Sequence, residues 1–349
     1  MPLTPTDEAA WQAFAHTAHE RLADGRRRLI PIVGSGFNVQ ATGNVDSWLN
    51  LLTEIAKGTG LPPTLPLDGS ALSMTAVWER LVAEIAFHEQ SQASEAEQSL
   101  RAVVQKTLMD FEEASHGLPF FDTFLALGFR DLLSLNFDRT LSLRQPGSKN
   151  VVRHGTSQRF TGIKRAPLTR HATMADGTRI WYPHGDTQAR GTIKLGIRDY
   201  GVYIGALEEA FGYFKRDERT FLEHHGHPEW SAALQRSWGE AVRAQPPGTL
   251  TWLALALTAP LLLLGCGMTS DEWPLWWLLH QRVRNLAQQP LAERDPVFLL
   301  WNVASAAHDE SQKSMTRWLR SAPAGIRLLA CDGWREGWER LFDTFNNTP

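Results

Sequence analysis

The chain returns repeatedly to short apolar runs without polar alternation, inside Arg28–Val33, Asp131–Asn136, Pro260–Gly265, Pro296–Trp301 and Ile326–Ala330. A strand with one wet face alternates apolar and polar residues. A run that is apolar throughout is a strand covered on both faces, the usual state of a parallel sheet sandwiched by helices. Between the later runs the period changes to that of a helix, at Trp273–Leu286, Ser311–Arg320 and Trp334–Phe345. This alternation predicts an α/β fold: a Rossmann-like parallel sheet with helices on both faces and right-handed crossovers.

Helical segments interrupt the alternation. Asp7–Asp24 carries Trp11, Phe14, Ala15, Ala18 and Leu22 at helical spacing, so residues 1–27 are expected to form an N-terminal helix ahead of a domain over 28–349. After the first strand, Asp46-Ser47 offers an N-cap for a helix from Trp48 to Ile55. Gly58–Pro66 is rich in breakers, and beyond it Ala71–Gln90 and Ser94–Glu113 predict two long helices. They form a helical insertion at about 58–116. A second, at about 205–248, runs through Gly205–Ala244 and ends at Pro246-Pro247-Gly248.

A net charge of -3 gives no global pull toward nucleic acid or anionic lipid, so direct nucleic-acid binding is not expected. The two cysteines, Cys266 and Cys331, cannot build a four-Cys zinc module and suggest buried thiols in a reducing cytosol. Asp7, Glu8 and Glu20 make the N-terminus unlike a signal peptide. The uncharged stretch Leu250–Met268 imitates a membrane span, but Pro260 divides it and Gly265-Cys266-Gly267 closes it. It reads as a short buried helix, Thr249–Leu257, feeding a buried strand. A cytoplasmic protein with no membrane partner is the expectation.

Ligands of open α/β sheets bind at the carboxyl ends of the strands. The first run ends in Val33-Gly34-Ser35-Gly36-Phe37-Asn38, where Gly34 and Gly36 would let backbone N–H groups approach a diphosphate. A plain tight turn would use the same glycines, and Val39 stands where a dinucleotide fingerprint has its third. The second run ends in Leu135-Asn136-Phe137-Asp138, which leaves at the rim an amide able to donate and accept. Asp138 could hold a ribose or merely cap residues 139–143. A third end, Leu264-Gly265-Cys266-Gly267-Met268-Thr269-Ser270-Asp271, is again small and polar. Together the three rims predict a bound nucleotide, with a dinucleotide favoured.

Two His-Gly pairs compete for a place beside them: His184-Gly185, which closes the strand Arg179–Tyr182, and His154-Gly155, after Val151–Arg153. The cluster Glu223-His224-His225-Gly226-His227 has no known metal-ligand spacing, and no metal is expected. The polar stretch Gly155–Gly177, with Arg159, Lys164, Arg165 and Arg170, is a solvated loop or a lid over an anionic ligand.

In order and spacing these pieces resemble the SIR2-like domain, the sirtuin-related NAD fold of bacterial anti-phage defence proteins. The resemblance runs from about Arg28 to the C-terminus. It is carried by Gly34-Ser35-Gly36-Phe37-Asn38 with Trp48, by Leu135-Asn136-Phe137-Asp138, by His184-Gly185 with Asp199-Tyr200, and by Gly265-Cys266-Gly267-Met268 with Asp271. Ser35, Asn38 and Leu135 depart from the family's usual Ala, Ser and Thr, and the late turn holds one extra residue before Asp271.

The resemblance selects His184 over His154. It implies NAD+ as substrate and a zinc-free NAD+ glycohydrolase that releases nicotinamide and ADP-ribose. Asn136 and His184 would be catalytic. Gly34, Ser35, Gly36, Phe37, Asn38, Asp138, Gly265, Cys266, Gly267 and Asp271 would hold the dinucleotide. It further implies a regulated effector that depletes cellular NAD, gated by homo-oligomer assembly or by a separate sensor or ATPase-type partner. The alternative is a catalytically silent module that senses NAD or ADP-ribose and regulates a partner protein.

Overall fold

In the computed structural model the described residues are 4–43, 51–53, 55–56, 73–144, 166–226, 231–246, 249–268, 272–286, 295–306, 310–321 and 326–347. Seven strands form one sheet: β1 (Ile30–Val33), β2 (Asp131–Ser134), β3 (His171–Thr173), β4 (Arg179–Trp181), β5 (Leu261–Leu264), β6 (Val297–Asn302) and β7 (Ile326–Cys331). Their order is β3-β4-β2-β1-β5-β6-β7. Every pairing is parallel except β3 with β4 at one edge. The sheet is therefore mixed, and the antiparallel edge strand departs from the all-parallel expectation. His171–Thr173 is too short and polar to stand out as a strand in sequence.

The apolar runs behave as their composition requires. Ile30, Ile32, Leu261, Leu263 and Leu299 face one side and join Tyr203, Leu207, Phe214, Trp238 and Leu278 in one core. Val33, Leu262, Leu264, Phe298 and Leu300 face the other and pack with Trp11, Phe14, Phe121, Phe124, Trp338 and Phe345. Every residue of β1, β2, β5 and β6 is buried, so alternation of facing leaves no alternation of polarity.

The N-terminal helix, Pro5–Ala18, belongs to the second of these layers, and Trp11 Nε1 donates to the Ala330 carbonyl at 3.0 Å. The helix Ile197–His224, which covers the start of the expected second insertion, likewise contributes Tyr203, Leu207 and Phe214 to the first layer. The first insertion has a core of its own. Helices Met74–His88 and Ala93–Ala114 bury Val77, Trp78, Leu81, Ile85, Leu100 and Val104 together with Ile193 and Leu195. Among the described residues no helix is long and apolar enough to cross a membrane.

The two edges of the sheet differ in chemistry. Ion pairs close the amino edge: Arg179 grips Asp131 at 2.6 and 3.0 Å, and Arg28 reaches Asp295 and Glu20. The carboxyl edge carries glycines, amides and a histidine.

Candidate functional site

In the strand order, β1 lies between β2 and β5, so chain direction along the sheet reverses at β1. Such a reversal opens a crevice at the carboxyl ends, the usual ligand position in doubly wound sheets. The turns after β1, β2 and β5 all meet there.

Gly34 N–H donates to the Leu264 carbonyl at 2.9 Å and Gly36 N–H to the Gly265 carbonyl at 3.0 Å. The approach leaves no room for side chains. A Cβ on Gly34 would lie 2.7 Å from the Gly265 oxygen, and one on Gly265, where φ is +63°, would lie 2.2 Å from the Phe37 nitrogen. These glycines are thus required by the crossing of two turns, whatever ligand the loop holds. Phe37 N–H bonds the Gly34 carbonyl, while Ser35 is the exposed residue of the loop.

Asn136, half-buried at the end of β2, donates its amide to the Gly34 carbonyl at 3.1 Å. Asn38 Nδ2 donates to Asp138 Oδ2 at 2.8 Å, and Asp138 Oδ1 accepts from Thr140 N–H at 3.1 Å. Asp138 therefore both tethers the helix after β1 and caps its own turn. The cap expected from sequence and a site role for Asp138 share one carboxylate.

His184 follows β4 and is 2% exposed. Its Nε2 is buried with no hydrogen-bond partner. Burial, with a smaller contribution from Lys194, pulls the imidazole down to about 4, so the ring is neutral at pH 7. Tyr200 sets its ring edge-on at 5.7 Å, and Phe137 lies 6.2 Å away.

The turn that presents His184 is held from several sides. Gly185 has φ +85°, and a Cβ there would sit 2.2 Å from the Thr192 oxygen. Lys194 N–H donates to the His184 carbonyl at 2.9 Å, and Thr187 N–H to the Phe137 carbonyl at 3.1 Å. Arg170 and Asp186 form an ion pair with both side chains almost fully buried. Arg170 is thus neither a solvated residue nor part of a lid. Arg159, Lys164 and Arg165 of the same stretch, with His154 and Gly155, lie outside the described residues.

No protein-family model matches the chain, and no curated protein matches it.

The structure brings Gly34, Gly36, Asn38, Asn136, Asp138, His184 and Gly265 to one end of the sheet. Phe37 is turned inward, fully buried against Phe120, Phe121, Phe124 and Trp338. Cys266 is buried, its Sγ 3.6 Å from the Ile32 carbonyl and its thiol pushed up by burial. Gly267 is exposed. Trp48 and Asp271 lie outside the described residues. Asp199 caps the helix Ile197–His224 and pairs with Arg101, a structural task, whereas its neighbour Tyr200 is the one that meets His184. Glu223, His224 and His225 close that helix, and among the described residues no three His, Cys, Asp or Glu side chains cluster as a metal group.

Sequence reasoning missed Asn302, which ends β6 on the same edge and caps the next turn by accepting from Ala304 N–H. Its signal was available: an amide directly after an apolar run, as at Asn136.

Proposed function

We propose that this chain is an NAD+ glycohydrolase with a Rossmann-like, SIR2-like fold, releasing nicotinamide and ADP-ribose. The observation that carries the reading is His184. It is a neutral, buried imidazole in the turn after β4, and its Nε2 has no partner. The strand order supports the fold, because the parallel strands taken without β3 run third-second-first-fourth-fifth-sixth in chain order.

Nicotinamide departs neutral from a pyridinium, so the barrier lies in oxocarbenium character at the ribose carbon and in delivering water to it. The N-terminus of the helix Ser35–Thr42 favours the diphosphate. Asn136 orients the nicotinamide ribose and the attacking water. His184 Nε2 accepts a proton from that water or from a ribose hydroxyl. Gly265 permits close approach of the adenosine ribose. The role in anti-phage defence, the gating by an oligomer or a sensor partner and the cytoplasmic setting rest on the family resemblance.

One observation favours the second reading, a silent NAD or ADP-ribose sensor. Gly36 N–H and Phe37 N–H are engaged within the protein, and Asn38 is bonded to Asp138. Purified protein incubated with NAD+ separates the two. The hydrolase releases nicotinamide, and Asn136→Ala and His184→Ala each abolish release with an unchanged circular dichroism spectrum. Binding without release supports the sensor.

A further inference from the structure

The long insertion helix Ala93–Ala114 lies along the turn that carries His184. Arg101 donates to the Ile193 carbonyl at 2.7 Å and pairs with Asp199, and Gln105 donates to the Thr187 carbonyl at 2.5 Å. Two residues from the helix end, Glu112 Oε1 accepts twice, from Arg139 N–H at 2.7 Å and from the Thr187 hydroxyl at 2.6 Å. Arg139 stands three residues after Asn136, and Thr187 three after His184. Arg101 and Gln105 thus reach only the His184 side, whereas Glu112 holds both turns on a single oxygen.

That arrangement is costly to build. Burial and the nearby Asp138 raise the Glu112 carboxyl, while its two hydrogen bonds and the Arg139 charge pull the other way. A carboxylate that accepts from a backbone N–H and a hydroxyl makes two charge-assisted bonds, each stronger than a neutral one.

We propose that Glu112 is a positioning residue for the reaction inferred above: beside the main-chain bond from Thr187 N–H to the Phe137 carbonyl, it holds Asn136 and His184 at their working separation, and through it the helical insertion reports to the site. The inference rests on the NAD+ reading for its kinetic consequence but not for its geometry. Thr187 N–H already bonds the Phe137 carbonyl, Glu112 adds the side-chain clamp through Arg139 and the Thr187 hydroxyl, and its side chain touches no reacting atom. Misplacing a catalytic group by about 1 Å can cost on the order of a hundredfold in rate.

The test compares the full-length wild type with Glu112→Ala and Glu112→Gln, with Thr187→Val removing one arm. Nicotinamide release is read as kcat and KM, and the His184 imidazole is followed by NMR after histidine labelling. Glu112→Ala should lower kcat at least about tenfold with KM for NAD+ within about twofold, as for an interaction that matters only in the transition state. Glu112→Gln keeps an acceptor oxygen and should restore most of kcat. Thr187→Val should fall between them. Wild-type kcat in Glu112→Ala, or equal losses in the Ala and Gln variants, overturns the proposal. If the wild type releases no nicotinamide, the NAD+ reading fails by itself. The proposal then stands on NMR: the His184 resonances must shift in Glu112→Ala and return in Glu112→Gln, and unchanged resonances overturn it.

Discussion

Thr187 N–H donates to the Phe137 carbonyl at 3.1 Å, so the turn that carries the candidate base is tied to the strand end that carries the candidate amide. That tie is main chain to main chain, and neither side chain makes it. Burial of the His184 ring beside that tie keeps the imidazole neutral at pH 7.

The pH dependence follows. The folded-state value of His184 is about 4, below the ordinary 6.5. Between these values the unfolded chain binds more protons, so stability rises with pH. The full contribution is present above about pH 6.5 and is lost progressively toward pH 4, on the order of 3 kcal/mol in all. Urea unfolding at a series of pH values should show this slope, and His184→Gln should flatten it. In the active wild type, the acid limb of kcat should fall near pH 4 to 5 and not near 6.5.

Gly265→Ala should destabilise by more than about 2 kcal/mol, because its Cβ meets the Phe37 nitrogen and its φ is +63°. Gly201, in the helix Ile197–His224, faces open space. Gly201→Ala should therefore stabilise by about 0.5–1 kcal/mol. Urea midpoints of the two variants should move in opposite directions.

The Arg170–Asp186 pair should behave as a buried ion pair. Asp186→Asn removes the carboxylate charge that faces the buried Arg170 guanidinium and should cost about 3–5 kcal/mol. The double variant Arg170→Met with Asp186→Leu should cost less than Asp186→Asn alone. Thermal unfolding of the three proteins checks this.

Asn38→Ala removes one donor from the buried Asp138 carboxylate and should cost about 1–3 kcal/mol. A double-mutant cycle with Asp138→Ala should return a coupling energy of similar size. If NAD+ displaces this bond on binding, the cycle run on NAD+ affinity will give a smaller coupling than the cycle run on stability.

The sheet was legible because Leu261–Leu264 and Val297–Trp301 are short runs, apolar on both faces and bounded by Pro260, Gly265 and Pro296. The rim residues were legible because each follows such a run. Other features depend on partners distant in the chain. Arg170 looks like one more basic loop residue until Asp186, sixteen positions on, is placed beside it. Glu112 is an ordinary helix glutamate in sequence, and its partners lie 27 and 75 positions away. Phe37 was read with its loop, but its neighbours are four aromatic rings from helices Pro119–Leu125 and Trp334–Asn346. β3 lacked any hydrophobic period to betray it.

The turns after β1 and β5 share one van der Waals boundary, formed by Gly34, Gly36 and Gly265. Substitution at any of the three must be answered by a shift in the opposite turn, so these positions are expected to drift together or not at all among related sequences. A descendant that acquires a side chain at 265 has to rebuild the start of the helix Ser35–Thr42. The joint constraint binds residues more than two hundred positions apart, and it would persist in a relative that had lost catalysis altogether.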